Sequence, residues 1–285
     1  MFVITGATGN TGSVAAKTLL AAGKKVRAVV RNADKAKELA ALGAEIFVAD
    51  MTDQAALAKA FVGAEAVYLL SPPDLGAKDF IAERKALTAK QVETAKAAKV
   101  PHVVLLSSIG AQHAEGTGPI LTTYHFEQQL RASGIPSTFV RAGYFVENWG
   151  AVLHPLKTDG VLPTFIPANL AIPMVATADI GKQIAQALLD GPRGVRVVEL
   201  AGPVDASPKD AAETFAKILG KPVNIVEPPL SAVVPTFTSF GISQNIAELF
   251  QEMYAGLISG KVTFSGAELV RGKTPLETTL RGLLG

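Results

Sequence analysis

Short apolar runs alternate with longer amphipathic stretches over the first two-thirds of the chain. The runs predict β-strands at residues 2–5, 25–30, 45–49, 66–70, 103–106 and 137–140. The stretches between them predict helices at 11–22, 33–42, 54–61, 79–99 and 122–133. Most strand positions are apolar on successive residues, which is typical of a parallel sheet covered by helices on both faces. This alternation predicts a doubly wound α/β fold.

The last third of the chain has a different pattern. Residues 179–189 predict a helix and 195–200 a further strand of the same sheet, which gives about seven strands. Beyond Gly202 the pattern predicts helices at 207–219, 243–259 and 275–284 and a short strand near 223–226. We therefore predict a nucleotide-binding domain formed by 1–150 and 175–202, and a small α/β substrate subdomain formed by 151–174 and 203–285.

Composition excludes several classes of function. The 285 residues include no Cys, which excludes a disulfide scaffold, a thiolate zinc site, an iron–sulfur cluster and a cysteine nucleophile. The four His are dispersed, without metal-ligand spacing, and a net charge of +2 gives no basic surface for nucleic acid. No apolar run approaches the roughly 18 residues of a membrane span, and Gly6 follows Met1 too closely for a signal peptide. We expect a cytoplasmic protein without membrane association.

A glycine motif follows the first predicted strand and leads into the first predicted helix. Its glycines are spaced G-x-x-G-x-x-G at Gly6, Gly9 and Gly12. They permit a sharp turn, close approach of a pyrophosphate and close helix–strand packing, and the phosphates would bind the free N–H groups of the helix N terminus. The strand–turn–helix context favours a dinucleotide site over a glycine-rich turn without a ligand. The predicted contacts are Gly6, Thr8, Gly9, Asn10, Thr11 and Gly12.

The end of the second predicted strand indicates which dinucleotide is bound. Arg31 lies there, 19 residues after Gly12. Chains that bind NAD place a carboxylate on the ribose hydroxyl about 20 residues after the motif. An arginine instead pairs with a 2′-phosphate. We predict NADP(H) as the cofactor, with a surface arginine at a strand end as the alternative.

Other strand ends complete the predicted cofactor site, because ligands of such sheets bind outside the carboxyl ends of the strands. Asp50 is placed to accept a hydrogen bond from the adenine amino group, although it could instead cap the helix that follows. The further predicted cofactor contacts are Asp50, Met51, Leu70, Ser71, Pro72 and Ser107.

Several sequence blocks together resemble the NmrA-like branch of the atypical short-chain dehydrogenase/reductases. They read TGATGNTG at 5–12, VVLLSSIGA at 103–111 and EQQLRASGIPSTFVRAGYFVEN at 127–148. A further block, LFQEMYAGLISG at 249–260, resembles the bacterial quinone oxidoreductase-type members. The resemblance covers nearly the whole chain. It implies an extended Rossmann fold, a small C-terminal substrate subdomain and NADP(H) binding.

The catalytic motif of the wider superfamily is incomplete in this chain. Its orthodox members use a Tyr-x-x-x-Lys pair with a Ser, whereas Gln128 follows Tyr124 at that spacing and Thr123 aligns with the lysine of many relatives. Ser108 ends the fifth strand slightly before the family's serine position. Tyr124 and Ser108 are the candidate catalytic residues. Reduction of an isolated ketone needs a poised proton donor, whereas hydride transfer to a quinone forms a delocalised anion and depends mainly on orientation.

A cluster of aromatic residues follows the sixth predicted strand, where the substrate cleft should open. The predicted substrate contacts there are Tyr144, Phe145, Asn148 and Trp149. Such a group suits a flat acceptor, although buried aromatic residues also serve packing between subdomains. Phe237, Phe240 and Tyr254 could close the cleft, and 236–241 reads as a mobile linker.

Two functions remain open on the sequence. The first is an NADPH-dependent oxidoreductase that passes hydride to a quinone-like or otherwise conjugated small molecule. The second is a non-catalytic NADP(H)-binding regulator of the NmrA type that binds a protein partner. The absent tyrosine–lysine pair is compatible with both. The sequence leaves open whether the protein binds a partner chain or forms a homodimer.

Overall fold

The computed structural model describes residues 1–285 and consists of alternating strands and helices. The strands are β1 (Phe2–Ile4), β2 (Val26–Val30), β3 (Glu45–Val48), β4 (Ala66–Leu69), β5 (Val103–Ser108), β6 (Ser137–Ala142), β7 (Tyr144–Phe145), β8 (Val161–Pro163), β9 (Met174–Val175), β10 (Val195–Ala201), β11 (Asn224–Val226) and β12 (Glu268–Arg271). The helices are α1 (Asn10–Ala21), α2 (Lys37–Ala41), α3 (Gln54–Phe61), α4 (Phe80–Ala97), α5 (Leu121–Ser133), α6 (Leu153–Asp159), α7 (Thr177–Asp190), α8 (Pro208–Leu219), α9 (Val233–Ser239), α10 (Gln244–Ile258) and α11 (Leu276–Leu284).

The main sheet has eight parallel strands in the order β12-β10-β6-β5-β4-β1-β2-β3. The predicted doubly wound α/β fold is confirmed. The chain reverses direction across the sheet between β3 and β4, so a crevice opens where β1 meets β4, which is where such folds bind ligands. Seven of these strands match the sequence pattern, and the eighth, β12, escaped it because this short edge strand is mostly exposed.

Two hydrophobic layers hold helices against the two faces of the sheet. Along β1, Phe2 and Ile4 join the layer of α1 and α7, whereas Val3 joins the layer of α3, α4 and α5. Successive residues of a strand point to opposite faces, so a strand that is apolar at every position serves both layers. Helices α1 and α7 pack closely at Gly181, where a Cβ would lie 2.7 Å from the carbonyl oxygen of Thr11.

A third hydrophobic cluster lies beyond the carboxyl ends of the strands and includes residues of α6, α8, α10 and α11. Two short parallel ladders, β8 with β11 and β7 with β9, accompany it. Most of this cluster falls in the predicted subdomain, although β12, from the same stretch of chain, joins the main sheet. The predicted domain boundaries stay a prediction. Much of the segment 236–241, which the sequence pattern predicts as a mobile linker, belongs to helix α9. None of the helices has the length and apolar character needed to cross a membrane.

A buried histidine makes stability depend on pH. His102, directly before β5, has no exposed surface, and its Nε2 lies 3.1 Å from Oγ1 of Thr138, while Nδ1 has no partner. Burial lowers the pKa of His102 from 6.5 to about 4. Between these two values the unfolded chain binds a proton that the folded chain does not.

We expect the free energy of unfolding to fall as the pH is lowered through this window, by at most about 1.4 kcal/mol per pH unit from His102. Below a pH of about 4 this contribution stops changing, because both states are protonated. Urea unfolding across the window, for the wild-type protein and for His102→Gln, measures the effect. Identical pH slopes for the two proteins would refute it.

Candidate functional site

The glycine turn between β1 and α1 is built for a closely approaching ligand. Gly6 has a φ of +59°, and its carbonyl oxygen accepts a hydrogen bond from the N–H of Gly9 at 2.9 Å. A Cβ at Gly12 would overlap that same carbonyl oxygen. The turn therefore depends on glycine at both ends, because one conformation is left-handed and the other position has no space.

The N terminus of α1 has free hydrogen-bond donors. Its N-cap residue is Gly9, so no side chain caps the helix, and the first turn contains no acidic residue. The N–H groups of Asn10, Thr11 and Gly12 have no acceptor within the protein. By contrast, Asp or Ser side chains cap α3, α4, α8 and α10. These free donors and the surrounding helix dipole fit the pyrophosphate of a dinucleotide.

A buried tyrosine supports the turn from beneath. The hydroxyl of Tyr68 lies 2.9 Å from Oγ1 of Thr11, and Oγ1 of Thr5 donates to the Tyr68 carbonyl at 2.7 Å. Burial raises the pKa of Tyr68 well above its usual value, so the hydroxyl stays protonated. The Thr11 side chain therefore points inward, which leaves its backbone N–H for a ligand. Sequence reasoning missed Tyr68, whose only signal was an aromatic residue in an otherwise aliphatic strand.

Arg31 and Asp50 lie at the ends of neighbouring strands β2 and β3. Arg31 is exposed and takes part in none of the ion pairs of the structure. Asp50 accepts hydrogen bonds from the N–H and the hydroxyl of Thr52, and these bonds, with the Arg31 guanidinium, lower the pKa of its carboxyl group. Asp53, and not Asp50, caps α3. The structure thus leaves a free cation beside a carboxylate that stays ionised.

The loop after β4 passes over the glycine turn. A Cβ on Gly6 would lie 3.0 Å from Cδ2 of Leu70, and Oγ of Ser71 is buried without a hydrogen-bond partner. Leu70, Ser71, Pro72 and Met51 are all half-buried. Arg84 of α4 holds this loop through the carbonyl oxygen of Pro72 at 3.4 Å and the carboxylate of Asp74 at 3.3 Å. Sequence reasoning missed Arg84, which carried no motif.

A cavity of about 260 Å³ opens beyond the ends of β5 and β6. Its walls come from the β5 and β6 ends, from β7 and the segment before β9, and from α10 with the segment after it. No charged side chain lines it. The lining residues are Ser108, Ile109, Ile120, Gly143, Tyr144, Phe145, Asn148, Ile172, Pro173, Phe250, Met253, Leu257 and Val262.

Three of the four predicted substrate residues line this cavity, and the fourth does not. Tyr144 and Phe145 form part of its wall, and the exposed Asn148 lies at its edge. Trp149 is 3% exposed and belongs to the third hydrophobic cluster, so its side chain packs the subdomain joint. Phe240 is 76% exposed and does not close the cavity. The wall supplied by Phe250, Met253, Leu257 and Val262 was not predicted.

The predicted catalytic pair is divided. Ser108 lines the cavity, and its hydroxyl donates to the carbonyl oxygen of Ile109 at 3.1 Å. Tyr124 does not line the cavity, and its ring packs edge-on against His125 with the ring centroids 5.3 Å apart. The Ser107 hydroxyl is buried and donates to Glu127 at 2.6 Å, so it is not presented to a cofactor. Tyr144 is the tyrosine in the cavity wall, and burial raises the pKa of its hydroxyl.

Comparison with known proteins shows that this chain is similar to reductases of one family. The model of the NmrA-like family matches residues 1–277. NAD(P)H azoreductase from Xenophilus azovorans is 26% identical over 256 residues, which cover 90% of this chain and 86% of that protein. Quinone oxidoreductase 2 from Escherichia coli (strain K12) is 30% identical over 270 residues, which cover 91% of this chain and 89% of that protein.

A solved structure and a regulator extend the comparison. The NADPH-dependent quinone oxidoreductase from Escherichia coli complexed with NADPH superposes with a TM-score of 0.84, at 27% identity and with full coverage of both chains. The nitrogen metabolite repression protein nmr from Neurospora crassa is 28% identical over 189 residues, which cover 60% of this chain and 38% of that protein.

Proposed function

The chain belongs to the NmrA-like family, and on this basis we propose that this NAD(P)H-dependent oxidoreductase reduces a neutral, conjugated acceptor of the quinone type. The observation that carries the proposal is the uncharged, mostly apolar cavity at the carboxyl ends of the strands. A charged acceptor that entered this cavity would lose its hydration and would meet no side chain of opposite charge, which is unfavourable. A flat, neutral ring system would contact the faces of aromatic side chains.

The cofactor fits the groups described at the strand ends. The free N–H groups of Asn10, Thr11 and Gly12 would hold the pyrophosphate. The unpaired guanidinium of Arg31 would bind the 2′-phosphate, which favours NADP(H). The unpartnered hydroxyl of Ser71 gives the loop after β4 one further hydrogen bond to offer. When bound, NADPH supplies a hydride from its reduced nicotinamide.

Orientation and one hydrogen bond are what the cavity contributes to the reaction. Tyr144 and Phe145 hold the plane of the acceptor, and Asn148 offers an amide at the edge. Because burial raises the pKa of Tyr144, its hydroxyl stays protonated and can donate to an acceptor oxygen without losing the proton. A hydroquinone anion is delocalised and needs no more than this. An isolated ketone would give an alkoxide, which requires the general acid that this cavity lacks.

Purified protein mixed with NADPH and a panel of acceptors tests the proposal, followed by the absorbance of the reduced nicotinamide. We expect turnover with neutral benzoquinones and naphthoquinones, a KM about tenfold or more higher for a sulfonated naphthoquinone, and no turnover with cyclohexanone. Tyr144→Phe should lower kcat/KM by about tenfold or more, because a hydrogen bond to developing charge is lost. Tyr124→Phe should keep wild-type kcat/KM, because its ring lies outside the cavity wall.

Tight NADPH binding without turnover on any quinone would refute the proposed activity. That result would favour the second reading, a dinucleotide-dependent regulator that binds a protein partner, and the partial match to a nitrogen metabolite repression protein is the observation behind that reading. Equal turnover of neutral and sulfonated quinones would instead refute only the proposed preference for a neutral acceptor, and not the quinone reduction itself.

A further inference from the structure

One wall of the acceptor cavity depends on a segment far from the glycine motif. Residues 261–267, which we name the tether, connect α10 to β12. Val262 of the tether lines the cavity together with Phe250, Met253 and Leu257 of α10. The Val262 N–H donates to the carbonyl oxygen of Gly256 at 3.0 Å, so tether and helix end are joined. The position of the tether therefore sets the position of this wall.

A buried carboxylate on the main sheet holds the tether. Glu199 of β10 is 1% exposed. Its Oε1 accepts hydrogen bonds from the N–H of Ser265 at 2.5 Å and from its hydroxyl at 2.7 Å, and its Oε2 accepts from the N–H of Gly266 at 3.2 Å. No cation lies within ion-pair distance of Glu199, so these three donors are what compensates its buried charge. A carboxylate buried this way strongly favours the conformation that supplies its donors.

A buried arginine holds the tether from the adjacent strand. Arg141 of β6 donates from Nη1 to the Ser265 hydroxyl at 3.1 Å. Its Nε and Nη2 donate to the two carboxylate oxygens of Glu127 at 2.9 and 2.7 Å, and Glu127 is fully buried. Ser107, Arg141 and Glu199 occupy one register position across β5, β6 and β10. These three residues thus connect Ser107, which is next to Ser108 of the cavity, with the tether.

Two further contacts fix the first part of the tether. Nε2 of Gln112 donates to the carbonyl oxygen of Thr263 at 2.8 Å. Cγ1 of Val262 lies so close to Gly110 that a Cβ there would be 3.3 Å away. The first part of the tether is therefore held by a hydrogen bond and by packing, and its last part is held by Arg141 and Glu199.

We propose that Glu199 and Arg141 are positioning residues that fix the α10 wall of the acceptor cavity through Ser265. The inference rests on the proposed function for its effect on the acceptor, but the anchoring itself does not. It assigns a role to the buried Glu127–Arg141 pair, which neither proton transfer nor cofactor binding uses. The expected signature is a change in acceptor KM with an unchanged kcat and unchanged NADPH affinity.

Three variants on the tether test the proposal. Ser265→Ala removes the hydroxyl that bridges Arg141 and Glu199, and the exposed position of Ser265 leaves the core unchanged. We expect its KM for a neutral quinone to rise roughly three- to tenfold, with kcat and NADPH Kd as in the wild type. Ser265→Thr keeps the hydroxyl and should restore KM. Thr263→Ala, which removes an exposed hydroxyl on the same segment, is the matched control.

Hydrogen exchange of the Val262 amide gives a readout that needs no turnover. We expect exchange to accelerate in Ser265→Ala and to stay at the wild-type rate in Thr263→Ala. An unchanged exchange rate in Ser265→Ala, an unchanged KM, or the same change in Thr263→Ala would overturn the inference. If the wild-type protein reduces no quinone, the proposed function fails, whereas the exchange measurement still decides whether the anchor holds the tether.

Discussion

Replacing Gly12 with alanine is expected to weaken NADPH binding by at least about 100-fold, since several charge-assisted hydrogen bonds of about 1.5–3 kcal/mol each are lost together. The added Cβ would overlap the Gly6 carbonyl oxygen and press on Ala7. The turn must then open, which moves the free N–H groups of α1 away from the pyrophosphate. Overpacking of this kind also costs about 1–3 kcal/mol of stability. Titration calorimetry with NADPH and thermal unfolding measure the two effects.

A glycine elsewhere in the chain provides the matched control. Gly282 lies in α11, and apart from its chain neighbours and the backbone of its own helix no atom lies within 4 Å of the position that its Cβ would occupy. Gly282→Ala should leave NADPH affinity unchanged and raise stability by about 0.5–1 kcal/mol, since alanine favours a helix. Wild-type NADPH affinity in a folded Gly12→Ala protein would contradict the assignment of the turn to the pyrophosphate.

The main sheet and the glycine turn could be predicted because their signals are local. The β1–turn–α1 unit lies within a short stretch of sequence, and its glycine spacing follows from the geometry of the turn itself. The buried strands are apolar at successive positions, so their pattern distinguishes them from the amphipathic helices between them. The edge strand β12 lacks that pattern, because most of its residues are exposed.

The cavity beyond the ends of β5 and β6 could be predicted only in part, because its walls meet through tertiary contacts. Tyr144 and Phe145 follow β6 directly, and the sequence therefore located them. Val262 reaches the cavity from a distant part of the chain. The next residue, Thr263, accepts a hydrogen bond from Gln112, which is 151 residues away in the sequence. Trp149 packs into the third hydrophobic cluster and not into the cavity wall, because sequence proximity to Tyr144 does not fix the direction of a side chain in the helical turn after β7.

Replacing Arg31 with alanine is expected to weaken NADPH binding by about 10- to 100-fold and to leave NADH binding unchanged, since a hydrogen-bonded pair with a phosphate contributes about 1.5–3 kcal/mol. The guanidinium is exposed and has no partner within the protein, so no ion pair must break when a phosphate binds. The NADPH affinity of Arg31→Lys should fall between those of the wild-type protein and Arg31→Ala, because lysine keeps the charge and loses the bidentate geometry. Fluorescence titration with both dinucleotides measures the selectivity.

A salt titration and a control variant distinguish a direct contact between Arg31 and the phosphate from a general effect of positive charge. A direct phosphate contact at an exposed site weakens as salt rises, so NADPH affinity of the wild-type protein should fall more steeply with salt than that of Arg31→Ala. Lys90→Ala removes one exposed positive charge from α4 and should leave both affinities unchanged. If Arg31→Ala weakened NADH and NADPH equally, Arg31 would support the adenosine site as a whole, and the preference for the phosphorylated dinucleotide would have to come from another residue.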